Sequence, residues 1–441
     1  MEQFCSVSGA ASAVAVIVFL VFVYVMNHLP KKKFSFATRV LIGTGCGTVF
    51  GLILFYGDQF LPGGILGGTE NWFSLVATGY LALFRLLIAP AVFIATIRMV
   101  LHTPAYKVTP KEVKVKKWVN TLMLALASAV SLGFGIFFHV GSPEGGIGPV
   151  EMAEGINLTE VIGRLVPSNL ALDALLGNVV AVFVAAVFVG IAARRMSGKY
   201  MDTVKPFFDV TEAAFSILGS VCKTIIAYKP AGAFAIMTAL TASEGLGGIW
   251  QVVKFLLVLT LAAAVMLVLQ LLLSAVCGVS PAAFLKAGKV PMMKALKTRS
   301  GSACLPEAQA ALSEGLGLNK EITDDVAAYA IASGMQGCGA LFPTMALVFS
   351  VNMAGGSWSL AALVTAVVVI VLTSYGITGV PGTATMAEFA VVMGSGMESA
   401  VSGLGPMIAI DPIGDVPRTL INVTGCMTNA IIVERKVRVK E

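Results

Sequence analysis

The stretch IDPIGDVPRTLINVTGCMTNAIIV, Ile410 to Val433, decides how this chain is read. It is apolar enough to lie in a membrane, yet it carries Asp411, Asp415, Arg418, Thr419, Asn422, Thr424 and Asn429. A charged side chain at bilayer depth costs about 3 kcal/mol or more, so such residues are rare and mark function. At the helical period, Asp411, Asp415, Arg418, Thr419 and Asn422 fall on one stripe, which Cys426 and Asn429 continue. One face therefore presents two carboxylates, a guanidinium, a hydroxyl and an amide. That set suits a zwitterion. Asp415 takes an ammonium, Asn422 helps to position it, and Arg418 offers a planar fork to a carboxylate. The competing reading is an internal Asp–Arg pair that only braces two helices, which leaves the amount of polarity on this face unexplained.

The rest of the chain supplies the setting. Of its 441 residues 57% are hydrophobic and 12% charged, against about 25% charged in soluble domains. Long apolar runs recur throughout, so the expectation is an all-α polytopic membrane protein. The net charge of +6 sits in short loops between these runs and gives no reason to expect a nucleic-acid partner. Cys5, Cys46, Cys222, Cys277, Cys304, Cys338 and Cys426 lie in or beside apolar segments without CxxC or Cys/His spacing. Neither a disulfide nor a metal site is expected from them, and no cofactor is expected. The phosphate-binding GxxxxGK[ST] loop of ATP-driven pumps is missing from the sequence. His28, His102 and His139 fall near expected helix ends, far in sequence from Ser300 and Ser302. No nucleophile–base pair suggests an enzyme.

Helices are expected at 8–28, 37–57, Asn71–Leu101, Lys117–Val140, 161–196 (broken near Pro167), 206–240 and 247–278. A polar stretch at 281–318, an interrupted helix at 322–353, a second broken stretch at 357–402 and the polar helix at 405–434 follow. Ser8 to Met26 lacks a basic leader and precedes Lys31, Lys32 and Lys33, so it reads as a retained helix and not as a signal peptide. Loop charges give the orientation. Lys31 to Lys33 and Arg39 mark a cytoplasmic loop, as do Lys107, Lys111, Lys114, Lys116 and Lys117. Arg194, Arg195, Lys199, Lys205, Lys286, Lys289, Lys294, Lys297 and the tail from Arg435 to Lys440 are also placed inside. The loops near Asp58 and Glu70, and around Glu144, Glu151, Glu154 and Glu160, are placed outside. The N-terminus is then outside and the C-terminus cytoplasmic.

Two stretches interrupt the helical pattern in parallel, Thr298–Pro306 and Ser374–Thr383. Apolar flanks of about 10 to 15 residues are too short to span about 30 Å of hydrocarbon, so each reads as a re-entrant hairpin. Irregular backbone at that depth is tolerated where it lines a cavity. Paired interruptions point to an inverted repeat with a site between the halves.

The motifs RSGSACLP (299–306), GVPG (379–382) and DxxxDxxRTxxNVTG (411–425) are similar to those of the dicarboxylate/amino acid:cation symporters, the glutamate-transporter homologues. The resemblance covers Phe36 to the end. Within the family the chain is most similar to the bacterial L-cystine uptake branch, through its extra N-terminal helix, the element GMQGCGALFP (334–343) and Pro412 after Asp411. The resemblance implies a homotrimer in the plasma (inner) membrane that imports an amino acid by an elevator movement. It implies an extra helix within 1–35, scaffold helices in 36–101 and 161–240, and transport-domain helices at 117–140 and 247–278. Hairpin 1 (281–318), the interrupted helix (322–353), hairpin 2 (357–402) and the last helix (405–434) complete the moving part.

By the same resemblance, Asp415 and Asn422 hold the substrate amino group, Arg418 takes a distal carboxylate and Thr419 lines the pocket. Ser300, Gly301 and Ser302 take the α-carboxylate, and Gly379, Val380, Pro381 and Gly382 form a gate. The departures concern the ion. Sodium-coupled members carry NMDGT in the interrupted helix, where this chain has Gln336, Gly337 and Cys338. The later acidic ion ligand is Cys426, and a helix-4 hydroxyl pair aligns with Ala125 and Leu126. Glu388 is an additional acid. H⁺ is therefore the expected coupling ion, with Glu388 or Asp411 carrying it. The alternatives are a Na⁺-coupled glutamate, aspartate or dicarboxylate symporter, and an anion channel or sensor that no longer transports.

Overall fold

The computed structural model describes residues 9–60, 64–101, 110–142, 163–377 and 379–438. His102, Lys107, the acidic loop residues Glu144, Glu151, Glu154 and Glu160, Thr378 and Lys440 lie outside these residues, as does Cys5. The described residues form helices and turns in the order α1 Ala10–Asn27, α2 Phe36–Phe60, α3 Thr69–Leu101, α4 Pro110–Phe137, α5 Leu170–Leu175, α6 Val179–Ser197, α7 Met201–Ala227, α8 Lys229–Glu244 and α9 Leu246–Val276. There follow α10 Pro281–Thr298, α11 Gly301–Ala310, α12 Lys320–Ser333, a π-helical turn Gln336–Leu341, α13 Phe342–Met353, α14 Leu360–Gly376, α15 Thr383–Gly394, a 3₁₀ turn Glu398–Leu404 and α16 Gly405–Arg438. Among the described residues eight helical segments are long and apolar enough to cross a membrane: α1, α2, α3, α4, α6, α7, α9 and the continuous stretch Lys320–Met353. The chain is a multi-pass membrane protein.

Three local expectations are corrected. The segment expected as one helix at 206–240 is two helices, α7 and α8, meeting at Tyr228. Pro230 cannot donate to the helical ladder and its ring crowds the preceding turn, so a new helix starts there. In the expected 161–196 helix a further break falls at Gly177, whose φ of 69° suits glycine. Asn169 and Asn178 cap the two pieces, accepting from Ala171 and Leu172 and from Ala181. Third, α16 is not among the membrane-length apolar helices. Its polar stripe dilutes its hydropathy, and burial against other helices takes the place of lipid contact.

Two packing groups emerge. In the first, α2 lies along α8, and α3 packs against α6, α7 and α8. The α2–α8 contact follows from sequence: Gly43, Gly47 and Gly51 form one stripe of small residues. A Cβ on them would come within 2.2 Å of Pro230 O, 2.3 Å of Phe234 O and 2.1 Å of Thr241 Oγ1. Only glycine permits so close an approach of two helices. Thr238 and Thr241 donate across it to the carbonyls of Gly47 and Thr48, at 3.3 and 3.2 Å. Helix α1 seals this group through Phe19 and Phe22, which pack on Phe50, Phe73 and Phe234 with ring centroids 4.7–5.9 Å apart.

In the second group α16 is the centre, packed by α4, α9, α10, α11, α12 and the π turn, and it also meets α8 and α2 of the first group. Helices α10 and α11 pack on each other around a turn at Arg299 and Ser300, and α14 and α15 do the same around 377–382. Arg299 takes the left-handed conformation at φ 53° that ends α10, and the Ser300 hydroxyl caps α11 by accepting from Ala303 N at 3.3 Å.

Candidate functional site

The stripe read from the sequence is present on α16, and its charged members are bonded to one another. Arg418 donates through Nε to Asp415 Oδ1 at 2.9 Å and through Nη2 to Asp411 Oδ1. Thr419 Oγ1 also donates to Asp415 Oδ1, at 3.1 Å. The guanidinium lies over the Phe342 ring, 4.4 Å from its centroid. Arg418 is buried, and its Nη1 has no hydrogen-bond partner among the described residues. Asp411 and Asp415 are the more accessible members, with side chains 20% and 25% exposed. The bracing pair and the polar face are thus the same residues.

A fourth charge comes from outside α16. Lys229, the first residue of α8, donates to Asp411 Oδ2 and is buried. The charges alternate along the row: Lys229, Asp411, Arg418, Asp415. Sequence reading missed Lys229, because the contact joins residues 182 positions apart. A signal did exist: a lysine inside a mostly apolar run, here Lys229 six residues after Lys223, is a functional marker by the same rule that singled out α16. Glu388 on α15 is fully buried near this row, close enough to interact electrostatically with Asp411, Arg418 and Lys229. Neither of its carboxyl oxygens has a hydrogen-bond partner among the described residues.

Asn422 faces elsewhere. Its Oδ1 accepts from the backbone N–H of Gly337 at 2.8 Å and of Cys338 at 3.1 Å, and its Nδ2 donates to Cys338 Sγ at 3.0 Å. The interrupted helix leaves those N–H groups without ladder partners, and Asn422 supplies one. The approach is close: a Cβ at Gly337 would fall 2.0 Å from Arg418 O. Cys338 and Cys426 are both buried with free thiols.

Gln336 belongs to a buried amide chain that sequence reading did not assemble. Thr424 Oγ1 donates to Gln270 Oε1 at 2.5 Å, and Gln270 Nε2 to Gln336 Oε1 at 2.8 Å. Gln336 Nε2 donates to Asn429 Oδ1 at 3.1 Å, Asn429 Nδ2 to Asn120 Oδ1 at 2.9 Å, and Asn120 Nδ2 to the Tyr375 hydroxyl at 3.1 Å. Each amide both donates and accepts, so the chain ties α4, α9, α14 and α16 to the interrupted helix without a charge.

The two hairpin tips differ in placement. Gly301 lies beside Asn422, since a Cβ on it would be 3.9 Å from Asn422 Cβ, and Arg299 Nη1 donates to Pro412 O at 3.3 Å. Ser300 to Ser302 are therefore next to the α16 stripe. The tip at Gly379, Val380, Pro381 and Gly382 leans on α7: a Cβ on Gly219 would meet Pro381 at 3.7 Å, and one on Gly382 would meet Ile226 at 2.8 Å.

Membrane-length helices, paired helical hairpins and a buried row of opposed charges describe a polytopic secondary transporter. The chain belongs to the sodium:dicarboxylate symporter family, whose model matches residues 36–436. It is 27% identical to a protein of Bacillus licheniformis named L-cystine uptake protein TcyP, over 95% of this chain and 94% of that protein. Proteins of the same name from Bacillus thuringiensis (strain Al Hakam) and Bacillus subtilis (strain 168) are also 27% identical, over 95% of this chain and 93% of each. The family is one of transporters and not of enzymes.

Proposed function

We propose that this protein imports L-cystine, or a related acidic amino acid, by proton-coupled symport. The observation that carries the reading is the pairing of a partly exposed carboxylate, Asp415, with a buried guanidinium, Arg418, that has one unpartnered nitrogen among the described residues. Asp415 Oδ2 receives the substrate ammonium, Arg418 the distal carboxylate, and Thr419 lines the pocket. Ser300, Gly301 and Ser302, at the N-terminal end of α11, receive the α-carboxylate. Asn422 supports the site by holding the interrupted helix, and its amide reaches the ammonium only if it leaves Cys338.

The names and coverage of the Bacillus relatives support cystine. Cystine carries two ammonium and two carboxylate groups, which matches a row of alternating charges. In the elevator reading, α2, α3, α5, α6, α7 and α8 form the trimeric scaffold. The group around α16 moves, α10–α11 and α14–α15 are its re-entrant hairpins, and the tip at Gly379–Gly382 gates the site. In the same reading it sits in the inner membrane with its N-terminus outside and its C-terminus inside, an orientation that the alternation of basic and acidic loops supports.

Proton coupling is supported by the ion chemistry of the site. The resemblance puts Gly337 or Cys338 at one acidic ion position of the sodium-coupled members and Cys426 at the other, and a thiol is a poor partner for a hard cation. Of the two acids considered, Asp411 is held by two cations, whereas Glu388 has no partner among the described residues. A buried carboxylate without partners is costly, so Glu388 is the proton carrier. Counterflow of labelled L-cystine in proteoliposomes tests the transport reading. Accumulation of label against a preloaded unlabelled pool is expected, and its absence identifies a channel or sensor.

A further inference from the structure

Lys229 is 3% exposed and opens α8, which packs along α2 and also against α16. Its ammonium donates to Asp411 Oδ2 and lies 3.5 Å from Thr385 Oγ1 of α15. Lys229 opens α8, which the Gly43, Gly47 and Gly51 stripe locks to α2. Asp411 is thus shared: Oδ1 faces Arg418 and Oδ2 faces Lys229.

That sharing decides whether Arg418 can change partners. In the described state the guanidinium bonds Asp411 and Asp415 and stacks on Phe342. For Nη2 to turn to a ligand carboxylate, Asp411 must let it go. A carboxylate that is only one-fifth exposed and loses its only cation is disfavoured. A carboxylate that keeps a second cation is not. The other titratable groups that interact with Asp411 are Glu388, fully buried, the Cys338 thiol, and Tyr80, whose hydroxyl is buried without a partner among the described residues; none of them is a cation. Lys229 is therefore the group that can hold Asp411.

We infer that Lys229 is a positioning residue for substrate. It retains Asp411 through Oδ2 so that Arg418 is released to bind the distal carboxylate of a diacidic amino acid. The inference rests on the reading of Arg418 as the carboxylate-binding group. Because Lys229 is on α8, acidic substrates are admitted where α8 and α16 are in register, which ties recognition to the relative position of the two helix groups.

The test is initial-rate uptake of labelled L-cystine in proteoliposomes for wild type, Lys229→Met, Lys229→Arg, Asp411→Asn and the double variant Lys229→Met/Asp411→Asn. In Lys229→Met, Asp411 competes for Arg418, so KM rises at least tenfold while kcat changes less than threefold. Lys229→Arg returns KM to within threefold of wild type. So does the double variant, since a neutral amide no longer holds the guanidinium. A KM for Lys229→Met within twofold of wild type overturns the inference, and so does a rise that the double variant leaves in place. Should Lys229→Met fail to purify as a folded protein, Asp411→Asn decides: a KM no higher than wild type supports the inference, and a tenfold rise overturns it. Wild type that neither binds nor takes up cystine removes the functional reading itself. An active wild type with unresponsive variants removes only the role of Lys229.

Discussion

Arg418 is held on three sides, by Asp411, Asp415 and the face of Phe342. Truncating one member of a buried ion pair strands the other and costs about 3–5 kcal/mol. Arg418→Ala is therefore expected to lower the melting temperature and to abolish uptake of diacidic amino acids. A small neutral amino acid, which has no distal carboxylate to meet the Nη1 of Arg418 that is unpartnered among the described residues, is expected to retain or gain uptake. Uptake assays with both substrate kinds check this, and equal loss for both would assign Arg418 to bracing alone. Lysine is not an adequate replacement, because a point charge cannot make the two forked bonds that Arg418 makes. The stripe that contains Arg418 was legible in the sequence because helical period alone aligns Asp411, Asp415, Arg418 and Thr419. The partners across space were not. Lys229 and Gln270 lie in mostly apolar segments far along the chain from their partners, and nothing in their spacing says which acid or amide they meet.

At the scale of elements, the interrupted helix depends on two close fits. Asn422 satisfies the backbone of Gly337 and Cys338, and Gly337 lies against the α16 backbone. The Cβ of Gly337→Ala would meet Arg418 O at 2.0 Å, so one of two backbones must move. The expected outcome is at least a tenfold loss of uptake together with a lower melting temperature in detergent. Unchanged uptake would show that this contact does not fix the site. The amide chain adds a second element-level dependence. Gln270→Leu leaves Gln336 Oε1 without its donor and Thr424 Oγ1 with Leu420 O alone, at about 1–3 kcal/mol for the stranded acceptor. A fall in melting temperature measured by scanning calorimetry or dye-free fluorescence checks it. Gly334 and the Gly/Ser/Pro tips announced the main interruptions in advance, since those residues break a helical pattern visibly. The breaks at Tyr228 and Gly177 were harder to place. The first hides in a continuous apolar run, where a single proline restarts the helix without a polar loop. The second follows Pro167 closely enough that only one break was expected.

At the scale of the whole molecule, the expected trimer draws its subunit contacts from α3, α6, α7 and α8. A polar face that receives substrate cannot also be sealed in a fixed interface. A structure of the assembled protein with Asp415 or Arg418 at a subunit boundary would contradict this. The central claim is that uptake of L-cystine or a related dicarboxylic amino acid is driven by protons through Glu388, a fully buried acid without a hydrogen-bond partner among the described residues. The direct measurement is uptake of labelled L-cystine into proteoliposomes under an imposed pH gradient, acid outside, with Na⁺ absent from both sides. The account predicts accumulation above equilibrium that collapses when the gradient is dissipated. In Glu388→Gln the gradient no longer drives accumulation, while exchange of internal for external cystine continues. Uptake that is absent under the pH gradient and restored by adding Na⁺ alone would contradict it.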